Sequence, residues 1–179
     1  LTMRFGSRIL FEDINIKLDQ HKRYGLIGAN GAGKTTFLKI LSGEIKEYEG
    51  EVIIGSGLKV GVLGQNQYAY EDFTIMDAVL YGNKRLYDAV KEKEELYTTG
   101  DFEDDKVNER LGELEMICVE EDPTYEYEIQ IAKILENVGI PAEEHYNLMS
   151  SLKTSDKFKV LLAQVLIGLR EKSRITERQ

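Results

Sequence analysis

The stretch that decides the fold is Gly28-Ala29-Asn30-Gly31-Ala32-Gly33-Lys34-Thr35, which fits the pattern G-x-x-x-x-G-K-[ST] at every required position. The mostly apolar run 23–27 precedes it and predicts a buried central strand. Residues 34–42 follow it, with apolar side chains on one face of a predicted helix and Gly43 placed to cap its end. The order of strand, glycine-rich loop and helix predicts a binding site for nucleotide phosphates.

The residue types in this loop suit a polyphosphate anion. Glycines let successive backbone N–H groups point inward with no Cβ in the way, and the helix N-terminus adds its positive dipole end. The Lys34 ammonium would contact the β- and γ-phosphates, the Thr35 hydroxyl would coordinate Mg²⁺, and Thr36 would hydrogen-bond the α-phosphate. The candidate nucleotide-binding residues are Asn30, Gly31, Ala32, Gly33, Lys34, Thr35 and Thr36. The alternative interpretation is a glycine-rich turn that only caps a helix.

Composition and charge limit the remaining possibilities. With 179 residues and 42% apolar content, the chain is long enough for one domain with a subdomain. Its net charge of −9 is concentrated between Glu71 and Glu128, where 19 acidic residues face 6 basic ones, so this block would repel nucleic acid. No apolar run is long enough to span a membrane, and the single Cys118 cannot form an internal disulfide. A cytoplasmic protein is expected, and Leu1 in place of an initiator Met indicates a processed or partial sequence.

Periodicity and glycine positions divide the chain into three segments. Residues 1–82 are predicted to form the nucleotide-binding core with a β subdomain, 83–147 a helical subdomain, and 148–179 a final helix with a tail. The boundary is drawn near Gly82. The predicted strands cover residues 1–5, 9–18, 23–27, 51–54 and 58–63, the first two as an antiparallel hairpin. The predicted helices cover residues 84–97, 104–117, 125–138 and 155–169, and Thr74 with Asp77 resembles a capping box.

Further sequence segments, beyond the loop, resemble those of the ATP-binding cassette (ABC) superfamily. They are most similar to the first ATP-binding domain of the ABC-F branch, whose members are soluble tandem ATPases that act on ribosomes. The similar segments lie at residues 3–6, 10–14, 23–36, 60–65 and 159–166, in the same order along the chain as in the family. The resemblance implies an α/β fold of the P-loop NTPase class, here incomplete, with an antiparallel β edge and a helical subdomain. It also implies ATP and Mg²⁺ as cofactors, with a second ABC domain and a ribosome as partners.

The resemblance assigns two further binding residues. Phe5 falls where these proteins place an aromatic ring against adenine, a contact that needs only a flat π face. Gln65 falls at the family's Q-loop, whose amide reaches the metal, so that Thr35 and Gln65 are the expected metal contacts.

The sequence departs from the family pattern in two places. Leu152-Lys153-Thr154-Ser155 stands where the family usually has Leu-Ser-Gly-Gly, although two hydroxyls and a helix start remain, with Ser155 as the expected cap. Residues 168–179 contain neither the Walker B aspartate and glutamate nor the switch histidine that the family carries there. No catalytic residue is therefore assigned, and we expect a chain truncated before Walker B that binds ATP without hydrolysing it.

Two other functions are compatible with these residues. The chain would be the ATPase subunit of a membrane transporter if the parent protein carried one cassette and a surface for transmembrane helices. It would be a nucleotide-binding remnant or an unstable fragment if later core strands were missing, because sheet edges and apolar faces would then be uncovered.

Overall fold

The computed structural model describes residues 1–64 and 66–176, with side chains up to residue 169. The chain divides into two compact units, Leu1–Val60 and Gly61–Gln179. The first unit carries a two-stranded sheet and one helix, and the second unit is helical throughout its described elements.

The first unit begins with a β-hairpin. Strands β1 (Met3–Phe5) and β2 (Arg8–Phe11) pair in antiparallel fashion. Thr2 continues the pairing through two backbone hydrogen bonds to Glu49, of 2.8 and 3.0 Å. The predicted antiparallel β edge is confirmed. Its second strand is shorter than predicted and ends at Phe11, so that residues 12–18 are not in a strand.

Helix α1 (Lys34–Leu41) follows the glycine-rich loop, as its apolar periodicity predicted. Phe37 and Ile40 are buried, and the ring of Phe37 packs edge-on against Phe11 of β2 with centroids 5.9 Å apart. Gly43 takes the left-handed φ of +78° that was expected just after the helix end. The aromatic contact therefore fixes the hairpin beside the helix.

Three predicted strands are absent from the described part of the chain: residues 23–27, 51–54 and 58–63 have no regular secondary structure. Ile27 is 95% exposed, so the apolar run 23–27 is not a buried central strand. A central strand needs partners for its N–H and C=O groups on both edges and a packed layer on each face. Within the described residues no strand lies beside this run to supply them.

The second unit is a helical assembly around one apolar core. Its helices are α2 (Ile75–Leu80), α3 (Lys84–Thr99), α4 (Asp105–Glu121), α5 (Tyr127–Asn137) and α6 (Thr154–Thr176), with short 3₁₀ turns at Ala142–Glu144 and Met149–Ser151. The largest fully buried side chains of the core include Ile75, Leu80, Leu86, Leu114, Ile131, Leu135, Ile140, Met149 and Val160. The four predicted helices of this region are confirmed: α3 begins at Lys84 as predicted, and the other helix ends differ from the predicted positions, most of all at the end of α6.

Helices α3 and α4 form an antiparallel hairpin. Ion pairs between charged side chains join the two helices along their length. At one end the Arg85 guanidinium binds the Glu121 carboxylate. Further along, the Arg110 guanidinium donates two hydrogen bonds to the Glu92 carboxylate, of 2.6 and 2.8 Å. These ion pairs are largely exposed, so each adds little stability and together they favour one register.

Helix α2 packs against α6, and Gly82, just after the end of α2, lies at this contact. Gly82, at the predicted boundary, lies so close to α6 that an added Cβ would be 2.2 Å from the Gln164 carbonyl oxygen. The Gln164 amide nitrogen also donates to the Ala78 carbonyl at 2.7 Å. The second compact unit begins at Gly61, and the domain boundary near Gly82 stays a prediction.

Removal of the Thr74 hydroxyl is expected to destabilise the second unit. The Thr74 Oγ1 accepts a hydrogen bond from the Asp77 N–H at 3.1 Å, so it caps α2 as the sequence predicted. Thr74→Ala should lower the free energy of unfolding by about 1 kcal/mol, the usual cost of a lost N-cap. Urea denaturation followed by circular dichroism measures this, and Thr74→Ser, which keeps the hydroxyl, should leave the midpoint nearly unchanged.

Candidate nucleotide-binding site

The loop between residues 28 and 33 is curled, and two of its glycines make this possible. Gly31 and Gly33 have φ angles of +80° and +87°, in the left-handed region that residues with a Cβ rarely adopt. Gly33 is also the N-cap of α1, and an added Cβ there would lie 3.1 Å from the Phe11 ring. The Ala32 N–H donates to the Ala29 carbonyl at 3.2 Å, which closes the turn.

Lys34 folds back onto its own loop. Its ammonium donates to the carbonyl oxygens of Gly28 at 2.6 Å and Ala29 at 2.8 Å. Both acceptors belong to the loop, so the charge of Lys34 lies beside the curl of backbone amides. Positive charge, a helix N-terminus and the exposed N–H groups of a tight turn together favour an anion.

A cavity of about 340 Å³ opens over this loop within the first unit. It is lined by Phe5, Leu10, Asn30, Gly31, Gly33, Lys34, Thr35 and Thr36. The structure thus brings the Phe5 ring, which is 57% exposed, to the same cavity as the loop residues 25 or more positions away. Ala32 is predicted as a binding residue but is not among the lining residues. Leu10 of β2 also lines the cavity, and no sequence pattern predicted it as a binding residue.

The donor atoms at this site suit a magnesium ion that arrives with a nucleotide. Thr35 is exposed in the cavity and offers a hydroxyl oxygen. No cluster of three or more His, Cys, Asp or Glu side chains is present among the described residues. Mg²⁺ accepts one or two protein oxygens when phosphates and water complete its octahedron. Gln65, the other predicted metal contact, lies outside the described residues.

The segment that stands at the position of the family signature lies at the start of α6 in the second unit. A 3₁₀ turn at Met149–Ser151 leads to α6, whose first hydrogen bonds run from Asp156 and Lys157 to the Lys153 carbonyl. Because α6 begins at Thr154, Ser155 lies inside the first turn and is not the cap that the sequence predicted. The predicted helix start in this segment is confirmed.

The comparison with protein families decides the relationship. The family profile described as "ABC transporter" matches residues 11–171, which is most of the chain. The chain belongs to the ABC transporter family of ATP-binding domains. The described helices of this ABC domain include none with the length and apolar content needed to cross a bilayer.

Several curated relatives resemble this ABC domain over nearly its full length. The ABC transporter ATP-binding protein YkpA of Bacillus subtilis (strain 168) is 45% identical over 94% of the chain, and the probable ATP-binding protein YbiT of Escherichia coli O157:H7 is 40% identical over 94%. A shorter match, 37% identical over 46% of the chain, is the ATP-binding protein Uup of Caulobacter vibrioides. The relatives are of the ABC-F type, as the sequence indicated. The chain spans 31% of the length of YkpA and of YbiT.

Proposed function

We propose that this ABC domain binds Mg²⁺·ATP in the cavity over the glycine-rich loop. The observation that carries the proposal is that an aromatic ring from β1 and the loop residues line one cavity. Phe5 supplies a flat apolar face for adenine at one side, and Lys34 with the amides of Gly31 and Gly33 supplies the phosphate contacts at the other. Binding would replace the two hydrogen bonds of Lys34 to loop carbonyls by charge-assisted contacts to phosphate oxygens.

We assign ATP binding, but no hydrolytic step, to the described part of the chain. None of the residues that line the cavity is an aspartate or glutamate, so no lining carboxylate is available to polarise an attacking water. When Mg²⁺ is bound it neutralises phosphate charge, and the Thr35 hydroxyl is the residue proposed to hold it. Gln65 remains proposed as a second contact to the metal on the family resemblance alone.

Truncation of Phe5 is expected to weaken adenine binding without affecting the phosphate contacts. Stacking of a base on an aromatic side chain contributes about 1–3 kcal/mol, so Phe5→Ala should raise the dissociation constant for ATP by roughly tenfold or more. Affinity for inorganic tripolyphosphate should not change, because that ligand has no base. Isothermal titration of both ligands checks this. An equal loss for both would mean that Phe5 supports the loop and does not stack on adenine.

At the level of the whole protein, we propose cytoplasmic work on the ribosome by two paired ABC domains. The support is the ABC-F type of the relatives and the absence, among the described helices, of one able to cross a membrane. Sucrose-gradient sedimentation with purified ribosomes tests this. The chain is expected to sediment with ribosomes when a slowly hydrolysed ATP analogue is present and to remain at the top of the gradient with Lys34→Ala. Free chain in every nucleotide condition would contradict the ribosomal role.

A further inference from the structure

The helical unit contains a second cavity, distant in sequence from the nucleotide loop. Its volume is about 240 Å³, and it lies between α3, α4 and the start of α5. Leu86 and Val90 of α3 and Cys118 of α4 form its apolar inner wall, and Tyr97 and Tyr125 stand at its mouth. An engineered cavity of about 150 Å³ holds benzene, so this one has room for a larger ring such as indole.

The cavity is lined by six uncharged residues and by the charged Lys93, Glu94 and Asp122. Cys118 is only 5% exposed, and burial raises the pKa of its thiol, so the sulfur is neutral at pH 7. The Asp122 carboxylate accepts hydrogen bonds from the Tyr127 N–H at 2.9 Å and from the Thr124 hydroxyl at 3.4 Å. Lys93 and Glu94 are paired with Glu115 and Lys91. Because the charged groups have partners and the inner wall is apolar, the interior favours an apolar guest.

The mouth of the cavity is rich in exposed aromatic surface. The Glu115 carboxylate accepts hydrogen bonds from the Lys93 ammonium and the Tyr125 hydroxyl, which fixes both side chains. Tyr97 stacks on Phe102 with centroids 6.2 Å apart, and Tyr97 and Tyr125 are 59% and 55% exposed. Pockets bordered by tyrosines occur where one protein anchors a side chain of another.

Charge indicates which kind of partner would approach. The segment from Glu71 to Glu128, which supplies every lining residue of this cavity, has 19 acidic and 6 basic residues. The cavity lining itself holds two acidic residues, Glu94 and Asp122, and one basic residue, Lys93. A segment with this net negative charge attracts basic segments and repels nucleic acid and acidic peptides. We infer that this cavity is a docking site for an aromatic side chain carried by a basic segment of a partner protein. The inference does not depend on ATP binding, because no residue of the nucleotide cavity takes part.

Synthetic peptides test the inference on the full chain. The probe is a blocked pentapeptide with one tryptophan between two pairs of lysines. The chain itself has no tryptophan, so the fluorescence of the peptide reports binding directly. We expect saturable binding with a blue shift. Replacing the tryptophan by alanine should weaken affinity at least about thirtyfold, as for a lost hot-spot anchor. Replacing the lysines by glutamates should abolish binding at low salt.

Matched variants locate the binding site. Val90→Phe fills the cavity and should block the tryptophan peptide, whereas Val119→Phe adds the same ring at an exposed position of α4 that does not line the cavity and should leave binding unchanged. Tyr97→Ala, at the exposed mouth, is a second variant that should weaken binding of the tryptophan peptide without disturbing the core. Equal affinity of the tryptophan and alanine peptides, or equal effects of the two valine variants, would overturn the inference. So would binding of the glutamate peptide as tight as that of the lysine peptide.

Discussion

Lys34→Ala is expected to abolish ATP binding in the micromolar range. The Lys34 ammonium is the positive side chain of the nucleotide cavity, and hydrogen bonds to charged groups contribute about 1.5–3 kcal/mol each. Loss of contacts to two phosphates should therefore raise the dissociation constant at least about a hundredfold. Titration with a fluorescent ATP analogue measures the change. Unchanged affinity would show that the curled loop is not the phosphate site.

Lys39→Ala is the matched control for this prediction. Lys39 lies near the end of the same helix, with its ammonium 3.8 Å from the Glu44 carboxylate, and does not line the cavity. The Lys39→Ala substitution removes the same charge from α1 as Lys34→Ala does, so a general electrostatic effect on nucleotide affinity would appear in both variants. We expect the Lys39 variant to bind ATP as the unaltered chain does. Circular dichroism should be the same for both, because neither side chain belongs to the helical core.

Gly82→Ala is expected to cause the largest loss of stability from a single methyl group. Its Cβ would lie 2.2 Å from the Gln164 carbonyl oxygen, which belongs to the backbone of α6 and cannot rotate away. Gly168 completes the close approach from the other side, since its own Cβ would be 2.8 Å from the Gly82 oxygen. Separating α2 from α6 should cost about 1–3 kcal/mol, the usual range for overpacking.

Gly112→Ala adds the same methyl group where there is space for it. Gly112 lies within α4, and no atom would come within 4 Å of an added Cβ. Alanine is the better helix former by about 1 kcal/mol, so this variant should be neutral or slightly more stable. Urea denaturation of both variants gives the comparison. Equal midpoints would mean that α2 and α6 do not pack at Gly82 in solution.

The elements that the sequence predicted correctly are those that depend on nearby residues. Helix α1, the left-handed Gly43 and the Thr74 cap each involve positions within a few residues of one another. Helical hydrogen bonds and caps are local, so a pattern of apolar side chains and capping residues is enough to indicate them. The four helices of the second unit were predictable for the same reason.

The candidate site was partly predictable. The glycine-rich loop is recognisable from one continuous sequence motif. The assignment of Phe5 to the same site came only from the family resemblance. Leu10 could not be predicted, because its position in the cavity depends on how the hairpin packs against α1 through Phe11 and Phe37. The aromatic cavity of the helical unit was missed altogether, since Leu86, Cys118 and Tyr125 are brought together only by three helices.

By itself, the sequence determined a curled phosphate loop at the start of a helix, a β-hairpin and a set of helices with their caps. Tertiary structure alone decided that residues 23–27 form no buried strand, that the second compact unit begins at Gly61, and that Gly82, just after α2, meets α6. The physical reason is the range of the forces involved. A cap or a tight turn satisfies its hydrogen bonds within a few residues, but a sheet or a core requires partners distant in the chain.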